Sequence, residues 1–386
     1  MRIYLDHNAT TPLRPEVSEA MARRLREGFG NPSSVSFEGT RARTRVEEAR
    51  EQVASLLSVA PSDVRFTSGA TEANNTLLLG LLSPGDYSCG QTAGHVVTTQ
   101  VEHPSVSAPL EALAARGLRV TWVAPDETGC VPIGDLEAAI TAETRLVTVI
   151  WANNETGAIQ PIEALASICR ARGIWLHADA TQAIGKLEID LAKVPVDSIA
   201  CSAHKLGGPK GIGALVARDQ AVIPALLLGG GQERGRRGGT ENTIGIAGFG
   251  AACAVAAAAG ASQSEAMRLL RDRLWQGLCD AVPGVRWNGD PARTLPNTLN
   301  VEFEAVAGEV LLQALDLEGV AVSAGAACHS GSIEPSKILC AMGRSPEQAR
   351  GSLRFSLGFG IDAAQIERTI ELLSKLVPRI RALGEP

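Results

Sequence analysis

Short apolar runs alternate with amphipathic stretches along the first part of the chain, up to about residue 217. Seven runs have the length of a strand and are bounded by polar or glycine-containing turns. They are Val64–Ser68, His95–Gln100, Leu118–Val123, Arg145–Trp151, Ile174–Asp179, Ser198–Ser202 and Gly213–Ala217. Between several of them, a helical period predicts the helices Thr71–Leu82, Ser105–Arg116 and Ile162–Arg172. Strands that alternate with helices favour an α/β fold with a mainly parallel sheet covered on both faces.

The pattern changes after about residue 260. A long helical stretch, Ser262–Val282, is followed there by short strands and helices in mixed order. The predicted strands are Val285–Trp287, Thr298–Phe303, Val320–Ser323 and Leu353–Leu357, and the predicted helices are Gly308–Leu315, Ser336–Met342 and Asp362–Leu383. We therefore predict two domains, a large one over residues 15–260 and a smaller α+β domain formed by residues 1–14 and 261–386.

Composition and charge narrow the class of protein. With 20% charged residues and a net charge of −6, the 386-residue chain has no basic tract for nucleic acid or an anionic membrane. The densest basic run, Arg41–Arg50, also contains acidic residues and predicts a solvated helix face. The most apolar stretch, Ile244–Ala259, is too short to span a bilayer and predicts a buried helix. The N-terminus lacks the apolar stretch of a signal peptide, so we expect a cytoplasmic protein without nucleic acid or membrane as partner.

The eight cysteines form no C-x-x-C pair, so no metal site is expected. Reduced thiols are their ordinary state in a cytoplasm. Cys169, Cys201, Cys253 and Cys279 lie in apolar periodic segments and are predicted to be small core residues. Cys328 differs, because its neighbours are mostly Gly, Ala and Ser, a composition typical of a loop.

The strongest chemical signal comes from Asp179 and Lys205. Asp179 closes the apolar run Ile174–Asp179, and Lys205 follows the next predicted strand. Ligands of parallel sheets collect at the carboxyl ends of strands. Pyridoxal phosphate requires a carboxylate that keeps its ring nitrogen protonated and a lysine that holds its aldehyde as a Schiff base. Either residue alone would more often be a surface group, so the signal lies in the pair.

Two further segments follow predicted strands. Thr67–Glu72 turns at a glycine and opens a helix, and the free N–H groups and dipole of such a helix suit a phosphate. A plain N-cap is an equally good interpretation, and the segment lacks the spacing of a P-loop. His103 follows the strand His95–Gln100 and can stack on a flat ring or shuttle protons. A lone histidine is more often structural.

Three later features complete the set. Asn153 and Asn154 can hydrogen-bond a cofactor or substrate, with an Asn-rich turn as the alternative. The segment Gly229–Asn242 is rich in glycine and charge, which favours a mobile anion-binding loop over an ordinary surface loop. Arg354 lies in an apolar strand and needs a partner, either a substrate carboxylate or an internal Asp or Glu. Together these residues suit chemistry on an amino acid.

These segments resemble, in order along the chain, the motif series of the cysteine desulfurases, which are fold-type I pyridoxal-phosphate enzymes of the class V aminotransferase group. The resemblance runs from residue 3 to about residue 360. It rests on Tyr4–Pro12, Phe29–Ser34, Thr67–Glu72, Glu102–Pro104, Trp151–Gly157, His177–Gln182, Ser202–Lys205, Arg234–Asn242 and Ala326–Ser330. It implies a homodimer with shared active sites, L-cysteine as substrate, and transfer of the sulfur to a persulfide acceptor or scaffold protein for iron–sulfur cluster or other cofactor synthesis.

The resemblance also implies which residues hold pyridoxal phosphate. Lys205 forms the covalent bond to it, and Asp179 pairs with the pyridine nitrogen. Gln182 pairs with the ring hydroxyl, and His103 stacks on the ring and belongs with Lys205 to the catalytic residues. The residues implied to hold the phosphate are Ala70, Thr71, Ser202, His204 and, from the other subunit, Thr240.

For the substrate, the resemblance implies that Arg354 binds its carboxylate and that Asn154 lies against both substrate and cofactor. Cys328 is the implied nucleophile, which takes the sulfur and can contact a transferred iron–sulfur cluster. His329 follows it, as in selenocysteine lyases, so a selenocysteine lyase is the alternative enzyme. A non-catalytic platform in a sulfur relay is the alternative of another class. The chain ends at Pro386, soon after its last helix, which favours a short nitrogen-fixation-type or an accessory member.

Overall fold

The computed structural model describes residues 2–82, 94–218, 223–324 and 334–384. Its strands are β1 Ile3–Tyr4, β2 Val64–Thr67, β3 His95–Thr99, β4 Arg119–Val123, β5 Thr144–Ile150, β6 Trp175–Asp179, β7 Ser198–Ser202, β8 Gly213–Ala217, β9 Val285–Trp287, β10 Thr298–Phe303, β11 Val320–Ala321, β12 Ser323–Ala324 and β13 Ser352–Ser356. Its α helices are α1 Pro15–Glu27, α2 Phe37–Leu57, α3 Ala70–Leu82, α4 Pro104–Ala114, α5 Ile133–Ala139, α6 Ile162–Arg172, α7 Thr243–Ala281, α8 Gly308–Leu317, α9 Lys337–Ala341, α10 Pro346–Arg350 and α11 Ala363–Gly384.

The strands β2–β8 form one sheet in the order β2-β8-β7-β6-β5-β3-β4. The strands β7, β6, β5, β3 and β4 are parallel, and β8 is antiparallel to both of its neighbours. The helices α3, α4 and α6 pack against this sheet. Each strand lies within one residue of its predicted bounds, so the mainly parallel α/β prediction is confirmed. The carboxyl ends of β2, β3, β5, β6 and β7 meet at one edge.

A second, antiparallel sheet has the order β12-β13-β10-β9, and β1 pairs with β11 beside it in parallel. The prediction of a single strand over Val320–Ser323 is wrong. The segment divides into β11 and β12, which pair in different sheets. Strands of two residues are too short to show a period, so the sequence pattern could not separate them.

Helix α7 joins two predicted helices into one element of 39 residues, broken only at Gly260, whose φ of 53° is not helical. The prediction of a buried helix over Ile244–Ala259 is right for its first half alone, since the residues after Cys253 are partly exposed. By length and composition α7 could also cross a membrane. In this fold it packs against α1 and α2 instead, as a core helix does.

Two large hydrophobic cores and two smaller clusters lie in the described part of the chain. The larger one fills the space around the seven-stranded sheet and includes Phe66 and Phe249. The second lies against the antiparallel sheet, where Phe303 and Phe355 meet edge to face, with α8, α11 and the end of α7 around them. Leu339 of α9 packs into the larger core although it comes late in the chain. The domain boundaries near residues 15 and 260 stay a prediction.

Candidate active site

A cavity of about 610 Å³ lies at the carboxyl ends of the strands β2, β3, β6 and β7. A volume of this size suits a cofactor together with a small substrate. The structure brings ten of the predicted site residues to its wall, namely Ala70, Thr71, His103, Asn154, Asp179, Gln182, Ser202, His204, Lys205 and Arg354. The role of each residue stays a prediction.

Asp179 is the last residue of β6 and is buried at the wall of the cavity. Its Oδ2 accepts a hydrogen bond from Asn74 Nδ2 at 2.9 Å, and its Oδ1 accepts one from the backbone N–H of Thr181 at 3.0 Å. These two donors give each oxygen of the buried carboxylate a hydrogen-bond partner. The site therefore has a well-anchored carboxylate at the position expected for the partner of a ring nitrogen.

Lys205 ends a 3-10 turn, Ala203–Lys205, that follows β7 directly. Its Nζ donates to the backbone oxygens of Asn8, at 2.5 Å, and Ala9, at 2.9 Å. Burial lowers the pKa of Lys205 to about 8, with a further lowering by the Arg354 guanidinium that two nearby carboxylates oppose. An amine with this pKa is partly deprotonated near neutral pH, which makes it a better nucleophile than an ordinary lysine.

The labelling rate of Lys205 by an amine-specific reagent should therefore rise about tenfold per pH unit and level off above about pH 8. Only the deprotonated amine reacts, and a lowered pKa means that more of it is present at any given pH. The measurement is mass-spectrometric labelling of the cofactor-free chain at several pH values. Arg354→Gln should move the midpoint upward, because the guanidinium is one cause of the lowering. A wild-type midpoint near that of an ordinary lysine would contradict the expectation.

The other lysines near the site are placed differently. Lys186 is buried, and its Nζ donates to Gln182 Oε1 at 2.6 Å and to Asn8 Oδ1 at 3.0 Å. Burial lowers the pKa of Lys186 well below its usual value. Gln182 in turn donates from Nε2 to the backbone oxygen of Asn8 at 2.9 Å. Of the lysines that the structure describes, Lys205 and Lys210 line the cavity.

The predicted phosphate end of the site lies where α3 begins at Ala70, three residues after the last residue of β2. The N–H groups in the first turn of a helix have no partner within the helix and attract anions. The backbone is tightly packed here, since a Cβ on Gly213 would lie 2.4 Å from the Cys201 oxygen and 2.8 Å from Gly69 Cα. Burial and nearby lysines lower the pKa of His204, on the same cavity, to about 4. His204 is therefore a neutral hydrogen-bonding group at neutral pH.

Arg354 lies on β13 and is almost fully buried. Its Nη2 donates to Asp6 Oδ1 at 2.5 Å, and its Nη1 donates to the backbone oxygen of Asn154 at 2.9 Å. The internal carboxylate, which the sequence left open as the alternative partner, is therefore Asp6. Arg354 Nε has no partner among the described residues, and a guanidinium has five N–H groups. The side chain can hold Asp6 and still bind a substrate carboxylate.

His103 is the N-cap of α4, and its Nδ1 accepts the backbone N–H of Ser105 at 3.1 Å. The two neighbouring asparagines have separate positions. Asn153 is buried and its Oδ1 accepts the backbone N–H of Glu155 at 2.8 Å, as the turn interpretation requires. Asn154 lines the cavity.

The glycine-rich segment 229–242 is held to the large sheet by its charges. Glu233 is buried and accepts two hydrogen bonds from Arg50, at 2.9 and 2.7 Å. The prediction of a solvated face is therefore wrong for Arg50, which a carboxylate from far along the chain neutralises. Arg237 pairs with Glu72 at 2.9 Å. Thr240 is exposed and is not part of the cavity wall of its own chain, so its contact from the other subunit stays a prediction.

The predicted nucleophile, Cys328, lies outside the described residues. Cys169, Cys201 and Cys253 are buried as predicted, and burial raises the pKa of Cys169 and Cys201 to about 12. Cys279 is exposed, so its prediction as a core residue is wrong. It lies on α7 directly after an inward-facing residue, and the helix turns it outward. None of the cysteines in the described ranges lines the cavity.

Sequence reasoning missed two asparagines that support the site. Asn8 lies just after β1, and its backbone oxygen accepts from both Lys205 and Gln182. Asn74 is fully buried on α3 and donates to Asp179. A buried amide in a helix as apolar as Thr71–Leu82 needs polar partners, and that was the available signal for Asn74.

A buried carboxylate, a lysine and a helix N-terminus at one edge of a parallel sheet define the class of α/β enzymes that use pyridoxal phosphate. The sequence matches the aminotransferase class-V family over residues 3–369, and the chain belongs to that family. It is 40% identical over 385 residues to the cysteine desulfurase IscS of Clostridium botulinum, over 99% of this chain and 96% of that protein. It is 44% identical over 387 residues to the cysteine desulfurase IscS of Serratia proteamaculans, over 99% of this chain and 94% of that protein.

Solved structures agree with this assignment. A NifS-like protein superposes with a TM-score of 0.91 at 35% identity, over 98% of this chain and all of that one. The structure of DndA from Streptomyces lividans superposes with a TM-score of 0.78 at 39% identity, over 90% of this chain and 97% of that one. The prediction of a fold-type I enzyme is therefore confirmed.

The enzymes of this family depend on pyridoxal phosphate, and the cavity fits that cofactor. Two buried polar groups at its wall, Thr181 Oγ1 and Arg354 Nε, have no partner among the described residues and are available to a bound molecule. The carboxylate of Asp179 and the amine of Lys205 face the same space. The donor set thus matches a ring nitrogen, an aldehyde and an anionic group in one ligand.

Proposed function

We propose that this chain is a pyridoxal-phosphate-dependent cysteine desulfurase, which converts L-cysteine to L-alanine and passes on the sulfur as a persulfide. One observation carries the proposal. Asp179, Lys205 and Arg354 face a single cavity in a chain that is 40% to 44% identical to cysteine desulfurases. A ring anchor, an amine and a carboxylate clamp are what chemistry at the α-carbon of an amino acid requires.

Pyridoxal phosphate, when bound, supplies an electron-withdrawing ring that stabilises negative charge at the substrate α-carbon. We assign Asp179 to its ring nitrogen, Gln182 to its ring hydroxyl and His103 to its ring face. Lys205 is the residue of covalent attachment. The groups assigned to the phosphate are those of Ala70, Thr71, Ser202 and His204.

Two residues of the cavity wall orient the substrate. Arg354 binds the α-carboxylate through N–H groups that Asp6 and Asn154 leave free. The backbone oxygen of Asn154 accepts from the same guanidinium, and we assign its side chain to substrate and cofactor. With the cofactor held in the cavity, Lys205 Nζ would be the group that moves the proton of the α-carbon, a task suited to a pKa of about 8.

Sulfur transfer is assigned to Cys328. Its thiolate attacks the substrate sulfur, so that a sulfur–sulfur bond forms while the bond between sulfur and the β-carbon breaks. The electron pair of the broken bond takes up a proton and becomes part of the alanine methyl group. Two thiols thus give one persulfide and alanine, and no external oxidant or reductant is needed. The buried Cys169 and Cys201 are unsuited to this step, because their raised pKa keeps them protonated.

A product balance with the wild-type enzyme tests the function. L-Cysteine and L-selenocysteine are supplied separately, and alanine and the persulfide on the protein are measured by mass spectrometry. We expect alanine from L-cysteine in an amount equal to the sulfur recovered, with the persulfide on Cys328. Alanine from selenocysteine alone would establish the selenocysteine lyase, and alanine from neither would leave the non-catalytic sulfur-relay platform.

We also propose a homodimer in which each chain completes the site of the other. The connection between α1 and α2 exposes large apolar side chains, with Phe29 at 90% and Val35 at 96% exposure. Leu228, beside the segment 229–242, is 88% exposed. Groups of exposed apolar side chains mark interaction sites, and a second copy of the chain would cover these. Thr240 lies in the same segment and would reach the neighbouring phosphate.

Mixed dimers test the shared site. In a dimer of one Thr240→Ala chain and one Lys205→Ala chain, one site loses both residues and the other keeps both. We expect such mixed dimers to recover about half of the wild-type activity, because one of the two sites is intact. The Lys205→Ala homodimer is the inactive control. Verified mixed dimers as inactive as that control would contradict the arrangement.

The acceptor of the sulfur is, in this proposal, a persulfide acceptor or scaffold protein that serves iron–sulfur clusters or other sulfur-containing cofactors. We place the reaction in the cytoplasm. Reducing conditions there keep a catalytic thiol available between turnovers. The six cysteines in the described ranges are free thiols, as such a compartment requires.

A further inference from the structure

A buried chain of hydrogen bonds runs behind Asp179. Asn74 Nδ2 donates to Asp179 Oδ2 at 2.9 Å, and Asn74 Oδ1 lies 2.9 Å from His177 Nε2. On the other side of its ring, His177 Nδ1 lies 2.9 Å from Ser198 Oγ, which accepts the indole N–H of Trp175 at 2.9 Å. Asn74 and His177 are completely buried. Neither residue is in the cavity wall, and the mechanism above uses neither.

The donor and the acceptor of each hydrogen bond in this series follow from the groups at its two ends, Asp179 and Trp175. An ionised Asp179 only accepts, so Asn74 must turn its nitrogen to the carboxylate and its oxygen to His177. His177 must then donate from Nε2. At the far end the Trp175 indole only donates, so Ser198 accepts it and gives its own hydroxyl proton to His177 Nδ1. Both ends assign the same neutral form to His177, and burial lowers the pKa of His177 to about 4.

A second branch leads from Asn74 to His103. The other hydrogen of Asn74 Nδ2 goes to Ser105 Oγ at 2.8 Å, and the Ser105 hydroxyl lies 2.8 Å from His103 Nδ1. The backbone N–H of Ser105, which can only donate, also points at His103 Nδ1 at 3.1 Å. Nδ1 is therefore the acceptor, with its single lone pair shared between the two donors, and the ring proton of His103 lies on Nε2. The N-terminus of α4 further disfavours a positive charge at this ring.

The charged groups around His103 act in opposite directions. Burial lowers the pKa of His103, the Asp179 carboxylate raises it, and the Lys205 ammonium lowers it. The neighbouring Glu102 turns its carboxyl away, since its Oε1 accepts from the Ile150 backbone N–H at 2.8 Å. The net direction is downward, in agreement with the hydrogen bonds.

We propose that Asn74 is a positioning residue whose single amide fixes both the carboxylate of Asp179 and, through Ser105, the neutral Nε2–H form of His103. The inference rests on the proposed function and deepens it. A histidine in this form offers its Nε2 proton to a hydrogen-bond acceptor, while its Nδ1 lone pair is already engaged by Ser105. His103 therefore acts as a fixed donor against the ring, and the proton of the α-carbon is carried by Lys205 alone.

Nuclear magnetic resonance of the 15N-histidine-labelled chain without cofactor tests the assignment directly. His103 and His177 should both show a protonated Nε2 and an unprotonated Nδ1 at neutral pH, and the midpoint of His103 should lie below that of free histidine. Single His→Gln variants assign the signals. His103 with its proton on Nδ1, or with a midpoint near that of free histidine, would overturn the proposal. The measurement itself is made on the wild-type chain, and the variants serve only to assign the signals.

Two substitutions test the role of the amide. Asn74→Asp keeps the shape but has at most one O–H to donate where the amide donates two hydrogen bonds, and it places a second carboxyl group beside Asp179. Asn74→Ala removes the group. Each should weaken binding of pyridoxal phosphate to the cofactor-free chain by about 10- to 100-fold, the effect of losing one hydrogen bond to a charged group. The midpoint of His103 should shift upward in both variants, while His95, bound to Thr121 and Thr144 elsewhere on the sheet, keeps its signal.

Wild-type cofactor affinity in Asn74→Asp would show that donation by the amide is unimportant and would refute the positioning role. Neither readout involves L-cysteine. A failure of this inference is therefore distinct from a failure of the desulfurase assignment.

Discussion

Lys205→Ala is expected to abolish covalent attachment of the cofactor and to lower turnover by at least about 10⁴-fold, the upper range for removal of one acid–base group. Two functions are lost together, because the same Nζ anchors the cofactor and moves the α-carbon proton. Of the other lysines in the described residues, Lys210 lines the cavity, and peptide mapping distinguishes it from Lys205. The Lys186 amine is held by Gln182 and Asn8, away from the cavity wall.

Borohydride reduction of the holoenzyme followed by peptide mapping makes the assignment directly. The reduced adduct should lie on Lys205 in the wild-type enzyme and be absent from the variant. Lys193→Ala is the matched control, because Lys193 is exposed and pairs only with the surface residue Asp190 in the described structure. It should keep wild-type turnover. A reduced adduct on Lys210 or Lys186 would refute the role of Lys205.

The parts of this site that could be predicted are those that the sheet itself positions. Asp179 ends β6, and Lys205 closely follows the neighbouring parallel strand β7. The carboxyl ends of neighbouring parallel strands lie at the same edge of a sheet, independently of the rest of the fold. The seven strands carried a clear apolar pattern, so the cavity edge could be located from the sequence. The same logic placed the segment Thr67–Glu72 at the start of a helix, where a phosphate can bind.

The parts that could not be predicted depend on contacts between distant segments. The partner of Arg354 is Asp6, from the other end of the chain, and Arg50 is neutralised by Glu233 rather than by water. A charge pattern shows that a residue needs a partner and does not say which one. The prediction of Cys279 as a core residue was wrong for a related reason. Helical periodicity does not decide whether a residue at the edge of the apolar face points to the core or to solvent.

The support of the site was also hidden in the sequence. Asn74 stands in an apolar helix beside a second asparagine, and nothing local shows which of the two is buried. Only the packing of α3 against β7 and α4 reveals that its amide connects two site residues. Hydrogen-bond partners of buried amides are a property of the tertiary structure.

Cys328→Ala is expected to abolish desulfuration of L-cysteine, with release of alanine reduced to the background rate. The groups assigned to cofactor and substrate binding are untouched in this variant, so L-cysteine should still bind and displace Lys205. Turnover should then stop, because no thiolate is present to take the sulfur. The visible absorbance of the enzyme, recorded as L-cysteine is added, reports the binding step, and alanine analysis reports the chemical step. A variant that binds L-cysteine but does not release alanine shows that Cys328 acts in the chemical step and not in the binding step.

The matched control is Cys279→Ala, which removes the exposed thiol of α7. Cys279 is not part of the cavity wall, and partial burial raises its pKa, so this variant should keep wild-type activity. Selenocysteine supplies the second comparison, because selenium leaves more readily than sulfur and its release need not depend on a receiving thiolate. Cys328→Ala should therefore retain more activity with selenocysteine than with L-cysteine. If Cys328→Ala released alanine from L-cysteine at the wild-type rate, the persulfide mechanism would be disproved. If the wild-type enzyme acted on selenocysteine alone, His329 would be the next residue to replace.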